Sequence, residues 1–263
     1  VQTEHIRHYR YALSPFAAKV HCYLGFKGLA FETFYVHPLR VRRELPVGHT
    51  VPVLEIDGEA RNDSTPIGLW LEERFPERRA LLPGDPEASR RVLAIDRWVT
   101  ERLIPTTFRL MLAPDAPLLA RVRGRRRGAR VLHATVPGGI PLAMRVFYPF
   151  LITRAAFIRR LLEATDPSRP TAAVVEDVLG ELAERLGKGP FLGELPDPGL
   201  ADLSAWAQLA LPYLAGYDGA EAFLAHPELQ SWFGRVADTL EDAEPLLSGA
   251  LAERSLPRAE AAA

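Results

Sequence analysis

Apolar positions in the first 80 residues switch between a period of two and a period near 3.6. Ile6–Tyr11, with aromatic and β-branched content, predicts a short strand. It runs into Leu13-Ser14-Pro15, a helix start with serine at the N-cap and proline at the first helical position. Phe16, Ala17, Val20 and Leu24 then recur at helical spacing, and Gly25 or Gly28 can close the helix. Ala30–Val36 alternates and predicts a second strand. Val53–Ile56, the turn Asp57-Gly58 and Glu59–Asn62 predict a hairpin. Ile67, Trp70, Leu71 and Phe75 follow Asp63-Ser64 as an amphipathic helix that Pro76 stops. The order is β-α-β, an irregular stretch, then β-β-α.

From Asp85 onward the pattern is helical. Asp85-Pro86-Glu87 is a helix start, and Val92, Ile95, Trp98, Val99 and Leu103 continue it. Thr171–Gly187, Leu200–Leu211 and Glu228–Leu240 predict further helices. The expected division is an α/β unit over residues 1–82 and an all-α unit over 85–250. The most apolar window, Val131–Ile152, holds three prolines, two adjacent glycines and Arg145, and so suits a membrane span poorly. The tail Arg258–Ala263 is expected to fray.

Composition adds exclusions. The 263 residues are 48% hydrophobic and 25% charged, which rules out a disordered chain or a disulfide scaffold. Cys22 is the single cysteine, so no internal disulfide forms, and no Cys/His cluster has zinc-ligand spacing. The segment VQTEHIRHYR lacks an apolar signal core, which makes a cytoplasmic location the expectation. The formal charge of −1 argues against a wholly basic nucleic-acid binder, but it is an average. Residues 116–162 carry ten arginines and no acid; residues 163–263 carry 18 acids and 6 basic side chains.

Five short motifs stand in a telling order. They are Ser14-Pro15-Phe16-Ala17, Thr50-Val51-Pro52-Val53-Leu54, Asn62-Asp63-Ser64-Thr65 with the helix behind it, Gly199-Leu200-Ala201-Asp202-Leu203, and His226-Pro227 with Trp232. Together they resemble the cytosolic glutathione S-transferase superfamily over residues 1–112 and 171–245, and hardly at all over 113–170, a segment whose length the resemblance implies to be an insertion. The resemblance implies a thioredoxin-like N-terminal domain, an all-helical C-terminal domain, glutathione as co-substrate, a cis Val51–Pro52 bond and a homodimer. The loop Pro46–Pro52 is one residue longer than the family's usual form.

The chemistry expected of such a site is ionisation of a small thiol beside an electrophile. A free thiol with pKa ~8.5 is only about 3% thiolate at pH 7, and the thiolate is the nucleophile. Ser14 at a helix N-terminus offers an O–H and unpaired N–H groups for that charge; its plainer role is an N-cap. Tyr9 and Tyr11, at the end of the first strand, compete for the activating role, or belong to the core. Neither Ser14 nor Ala17 has sulfur, which excludes disulfide exchange through that motif, and Cys22 reads as an incidental, partly buried thiol. The Val51 main chain beside Pro52 suits pairing with a peptide backbone, or is a tight turn. Asp63 and Ser64 suit the ammonium and carboxylate of a γ-glutamyl end, or form a capping pair. His49 and Thr50 are candidates for the ligand's other carboxylate. Phe16, Trp98, Phe108 and Met111 are candidates for an apolar pocket, and Asp202 reads as a folding determinant.

Arg121, Arg123, Arg125, Arg126, Arg127 and Arg130 crowd one stretch that reads as a solvated loop neutralised by the acidic C-terminal third. An anionic membrane surface, a nucleic acid or an acidic substrate are the other readings. The leading functional expectation is a transferase that binds glutathione or a related thiol and joins it to an apolar electrophile. The alternative is a non-catalytic binding or adaptor protein on the same fold, with 113–170 as its interaction surface.

Overall fold

In the computed structural model, which describes residues 4–257, β1 (Ile6–Arg10), α1 (Pro15–Phe26) and β2 (Glu32–Tyr35) open the chain. A single helical turn, α2 (Val41–Glu44), leads to β3 (Val53–Ile56), β4 (Glu59–Asn62) and α3 (Ser64–Arg74). The sheet order is β2-β1-β3-β4, with β1 and β2 parallel and β3 antiparallel to both neighbours. Asp57 and Gly58 both have positive φ, the backbone that a two-residue hairpin loop requires. This is the β-α-β, β-β-α order of a thioredoxin-like half. The tail expected to fray, 258–263, lies outside the described residues.

Along β1, Ile6, His8 and Arg10 face α1, while Tyr9 packs on the opposite side with Val36, Leu45 and Val53. α1 is not amphipathic as its periodicity suggests: Ala17 through Leu24 are all buried, Lys19, His21 and Cys22 included. Its second face is covered by a later helix, Leu200–Leu214. Arg10 is fully buried and donates to His21 Nδ1 at 2.6 Å and to the carbonyls of Ala12 and Leu246. His21 Nε2 lies 2.8 Å from the Glu244 carbonyl. These two partners assign His21 the neutral Nε2–H tautomer and tie β1 and α1 to the C-terminal segment.

The remaining described elements are helical apart from one isolated bridge, Phe191–Leu195. Asp85 caps α4 (Pro86–Trp98), accepting from the Ala88 N–H at 2.7 Å. A π-helical turn, Val99–Leu103, continues it into α5 (Ile104–Leu112), where Pro105 has no N–H to offer the preceding turn. There follow α6 (Leu118–Thr135), α7 (Leu142–Leu151), α8 (Ala156–Glu163), α9 (Thr171–Leu186), α10 (Leu200–Leu214) and α11 (Pro227–Asp238).

The arginine-rich stretch is therefore helix, not loop. Arginine is a good helix former, and Gly128, Ala129 and Val131 give α6 a buried face. Gly128 lies against Tyr148 and Tyr217, where a Cβ would meet both rings at 3.3–3.5 Å. The far end of segment 113–170 is held by Arg109. This buried guanidinium donates to Thr165 and Thr171 and to the carbonyls of Asp166 and Arg169.

α10 is buried along nearly its whole length. Asp202 accepts from the N–H groups of Gly199 and Leu192 and from Trp232 Nε1, at 2.8–3.1 Å. Burial still pushes its carboxyl up to about 6. It joins three segments and reaches no surface, as a folding determinant does. Among the described residues no helix is long and apolar enough to cross a membrane.

Candidate functional site

Register places three of the sequence motifs at one end of the sheet. Tyr9 pairs with Val53, and Val53 with Asn62, so the end of β1, the start of β3 and the end of β4 are adjacent. The chain leaves β1 into Ser14 and α1, enters β3 through Val51-Pro52, and leaves β4 through Asp63 into α3. Ser14, Val51 and Ser64 thus stand on three neighbouring connections. The Ser14 Oγ accepts from the Ala17 N–H at 3.3 Å, which leaves its proton free to donate elsewhere.

The Val51–Pro52 bond is cis. Both ladders of β3 begin at Val53, so the Val51 main chain lies beyond them. Asn62 holds this connection. Its side-chain amide donates at 2.7 Å to the carbonyls of both Thr50 and Pro52, bracketing Val51. Gly48, at φ +70, sits on the same amide, where a Cβ would approach it to 3.1 Å. The motif Asn62-Asp63-Ser64-Thr65 gives Asn62 no role of its own, and its hold on this loop is seen only in the fold.

Asp63 adopts φ 78 and ψ 135, an unfavourable backbone for a residue with a Cβ. Its side chain does not cap α3. The plain capping reading of Asp63-Ser64 is thus not realised. The geometry leaves the first N–H groups of α3, from Ser64 and Thr65, without intrahelical partners. Ser64 itself is buried and Asp63 exposed.

Behind these groups lies a buried polar network. Asp96 of α4 accepts from Thr65 Oγ1 at 2.5 Å and from Ser204 Oγ at 2.6 Å, and pairs with Lys19 Nζ at 2.6 Å. Ser204 also meets Tyr23 at 2.6 Å, and Lys19 donates to Thr100. Lys19 and Asp96 are essentially inaccessible. The network fixes α3 just after Ser64 and α1 just after Ser14 to the helical half. Gln208 of α10 adds a bond to the Pro15 carbonyl at 3.2 Å.

His49 and Thr50 are exposed on the loop before the cis bond. His49 shares an open concavity of about 520 Å3 with Arg40, Arg42 and Arg43 of the α2 turn. Those arginines carry no family motif, and only proximity in the fold identifies them. Phe16 is half-buried, and its ring lies 6.0 Å from Phe157 of α8, which in turn lies 6.1 Å from Phe108 of α5. Phe157 comes from segment 113–170 and was not among the residues named as pocket candidates. The other pocket candidates are elsewhere. Trp98 donates to Glu181 at 2.6 Å under the Arg185 guanidinium, and Met111 lines a separate cavity of about 470 Å3 beside α6.

The tyrosines are turned away from α1. Tyr9 donates to Glu55 at 2.7 Å. Tyr11 packs with the same cluster as Tyr9, and burial pushes its phenol up to about 12, against ready ionisation. Cys22 is fully buried rather than partly so, and burial raises its thiol to about 12.

Residues 9–79 match the family model of the glutathione S-transferase N-terminal domain. Among solved structures the chain is similar to a glutathione S-transferase from Rhodospirillum rubrum F11, at 23% identity and TM-score 0.61, covering 96% of each chain. It is also similar to the β-etherase LigF from Sphingobium sp. strain SYK-6, at 22% identity and TM-score 0.59, covering 90% of this chain and 99% of that one. A third is human glutathione transferase theta-2, in complex with glutathione and an unknown ligand. There the identity is 19% and the TM-score 0.60, over 89% of this chain and 82% of that one. At these identities the likeness establishes the fold. The match over residues 9–79 and the likeness along the rest of the chain agree, and the whole chain has the fold of these glutathione S-transferase structures.

Proposed function

We propose that the chain is a glutathione transferase-type enzyme. It ionises the thiol of bound glutathione and directs it at an apolar electrophile. The observation that carries this reading is the convergence of Ser14, the Val51 main chain and the N-terminus of α3 at one end of the sheet. Residues up to Leu82 form the thiol-binding unit in this reading, and those from Asp85 to about 250 the electrophile-binding unit.

The division of labour follows from the groups present. The N–H groups of Ser64 and Thr65 and the Ser64 hydroxyl bind the γ-glutamyl carboxylate, and the exposed Asp63 carboxylate takes its ammonium. The Val51 main chain pairs with the cysteinyl backbone as one more strand. His49, with Thr50 and the nearby arginines, faces the glycyl carboxylate. This places the sulfur at the start of α1, where the Ser14 hydroxyl donates to the thiolate. The proton leaves to solvent. The thiolate then attacks the electrophile held by Phe16, Phe108 and Phe157, forming the C–S bond as the leaving group departs with its electron pair. Lowering a thiol by ~2 pKa units corresponds to about 2.7 kcal/mol of preferential thiolate binding. Positioning supplies the rest.

The test is calorimetric binding of glutathione against cysteinyl-glycine, which lacks the γ-glutamyl end. Glutathione is expected to bind at least tenfold more tightly, and Ser64→Ala to erase most of that difference. Equal affinities would overturn the assignment of α3. A non-catalytic binding protein on the same fold would bind glutathione without forming thiolate. The homodimer that the resemblance implies belongs to this proposal, and sedimentation velocity reads it.

A further inference from the structure

Ten arginines lie between residues 116 and 162, and among the described residues only Arg127 and Arg130 pair with a carboxylate, both with Glu253. The acidic C-terminal third therefore does not neutralise the insertion. Arg123, Arg126, Arg145, Arg154, Arg159 and Arg160 are exposed. On α6, Leu119, Arg123, Arg126 and Arg130 follow at i, i+4, i+7 and i+11, one solvent-facing stripe.

α7 packs against α6 through its other side. Tyr148 lies on Gly128, and the Pro149 carbonyl accepts from Arg125 at 3.0 Å. Its outward arc is Leu142, Val146, Phe147 and Phe150, which are 49–71% exposed. Leu151 ends the helix half-exposed. No charged residue interrupts that arc; Arg145 stands at its flank and Arg154 lies within one turn of its end. Monomeric proteins rarely leave such a surface uncovered.

We propose that α7 rests on the surface of an anionic phospholipid bilayer, its outward arc at the acyl-chain boundary and the insertion's unpaired arginines on the headgroup phosphates. A ten-residue helix about 15 Å long cannot span a bilayer, but it can lie in the interface. The charge selects the occupant. A second copy of the chain laid on this face would set the same excess of arginine against itself. A nucleic acid would satisfy the arginines while leaving the aliphatic Leu142 and Val146 against phosphate and sugar. A bilayer with anionic headgroups meets the arc with its acyl chains and the arginines beside it, Arg145 and Arg154, with its phosphates. This inference does not depend on the thiol chemistry proposed above.

The experiment is co-sedimentation of the full chain with vesicles of phosphatidylcholine containing about 30% phosphatidylglycerol, against pure phosphatidylcholine. Binding is expected to be at least tenfold stronger to the anionic vesicles and to fall steeply as salt rises from about 0.1 M to 0.5 M. Arg145→Gln with Arg154→Gln is expected to lower affinity about twentyfold, given roughly fivefold per arginine near the surface. Phe147→Ser with Phe150→Ser is expected to lower it at least tenfold while leaving the thermal midpoint unchanged, since both rings are already half in water. Equal binding to both vesicles, or none to either, would overturn the proposal. So would tight, salt-dependent binding of a nucleic acid that vesicles do not compete away. A dimer that the Phe147/Phe150 variant converts to monomer, with vesicle binding intact, would assign the face to a second copy instead.

Discussion

Lys19 and Arg123 carry the same charge in opposite circumstances. Lys19 is sealed inside α1, 2.6 Å from Asp96, in a network that also fastens Thr65, Ser204, Tyr23 and Thr100. Arg123 stands exposed on α6 with no carboxylate within ion-pair distance among the described residues. The α1–α3 end of the molecule spends buried polar groups on fixing two helix starts. The α6–α8 segment leaves most of its charge and the rings of Phe147 and Phe150 exposed. Substitutions should therefore cost stability in the first region and association in the second.

The largest effect expected is at Lys19. Lys19→Met keeps the volume but leaves the Asp96 carboxylate buried without its cation, a change that typically costs about 3–5 kcal/mol. Urea unfolding should show it as a shift in midpoint with an unchanged slope. A loss under 1 kcal/mol would mean that the network is not holding the two helices.

Asn62→Ala is expected to come next. It strips the donor from the Thr50 and Pro52 carbonyls, at about 1–3 kcal/mol. Because those bonds bracket Val51, glutathione binding should weaken about tenfold or more. Lost stability with unchanged binding would separate the loop from the site.

The smallest effect breaks the comparison from within. His8 is fully buried in the well-satisfied region, yet neither ring nitrogen has a partner among the described residues. Burial, reinforced by Arg10 and His21, holds its pKa well below the usual imidazole range, and burial beside Arg10 takes His21 down to about 3. Both stay neutral in the fold while the unfolded chain protonates them. The stability they contribute is full above pH ~6.5 and is lost progressively as pH falls below it. His8→Leu should be neutral or stabilising at pH 7.5 and should shrink the fall in melting temperature between pH 7.5 and 5.5. Asp202, raised to about 6, works in the opposite sense below that pH and limits the net slope. An unaltered pH profile in His8→Leu would contradict the assignment.

What the sequence discloses is local. Ser14 and Asp85 cap the helices they precede, and Asp57-Gly58 turns the hairpin it was expected to turn, because each signal is satisfied within four residues. Nothing near Lys19 in the sequence marks it as buried, because Asp96 is 77 residues away and the covering helix α10 begins only at Leu200. The helices of the insertion were hidden by their own composition. Two glycines and six arginines within ten residues resemble a loop until Tyr148 and Tyr217 close over Gly128. The candidate site divides the same way. Ser14, Val51 and Ser64 are legible as motifs, whereas Asn62, Asp96, Phe157 and the α2 arginines gain meaning only from what the fold brings beside them.

The most direct test of the central claim follows the ultraviolet thiolate band of glutathione bound to the protein as pH is varied. Bound wild type should show thiolate about two units below the range of the free thiol, and Ser14→Ala should return the transition close to that of free glutathione while still binding it. Glutathione that binds wild type without any thiolate band, or a band that Ser14→Ala leaves in place, would contradict the account.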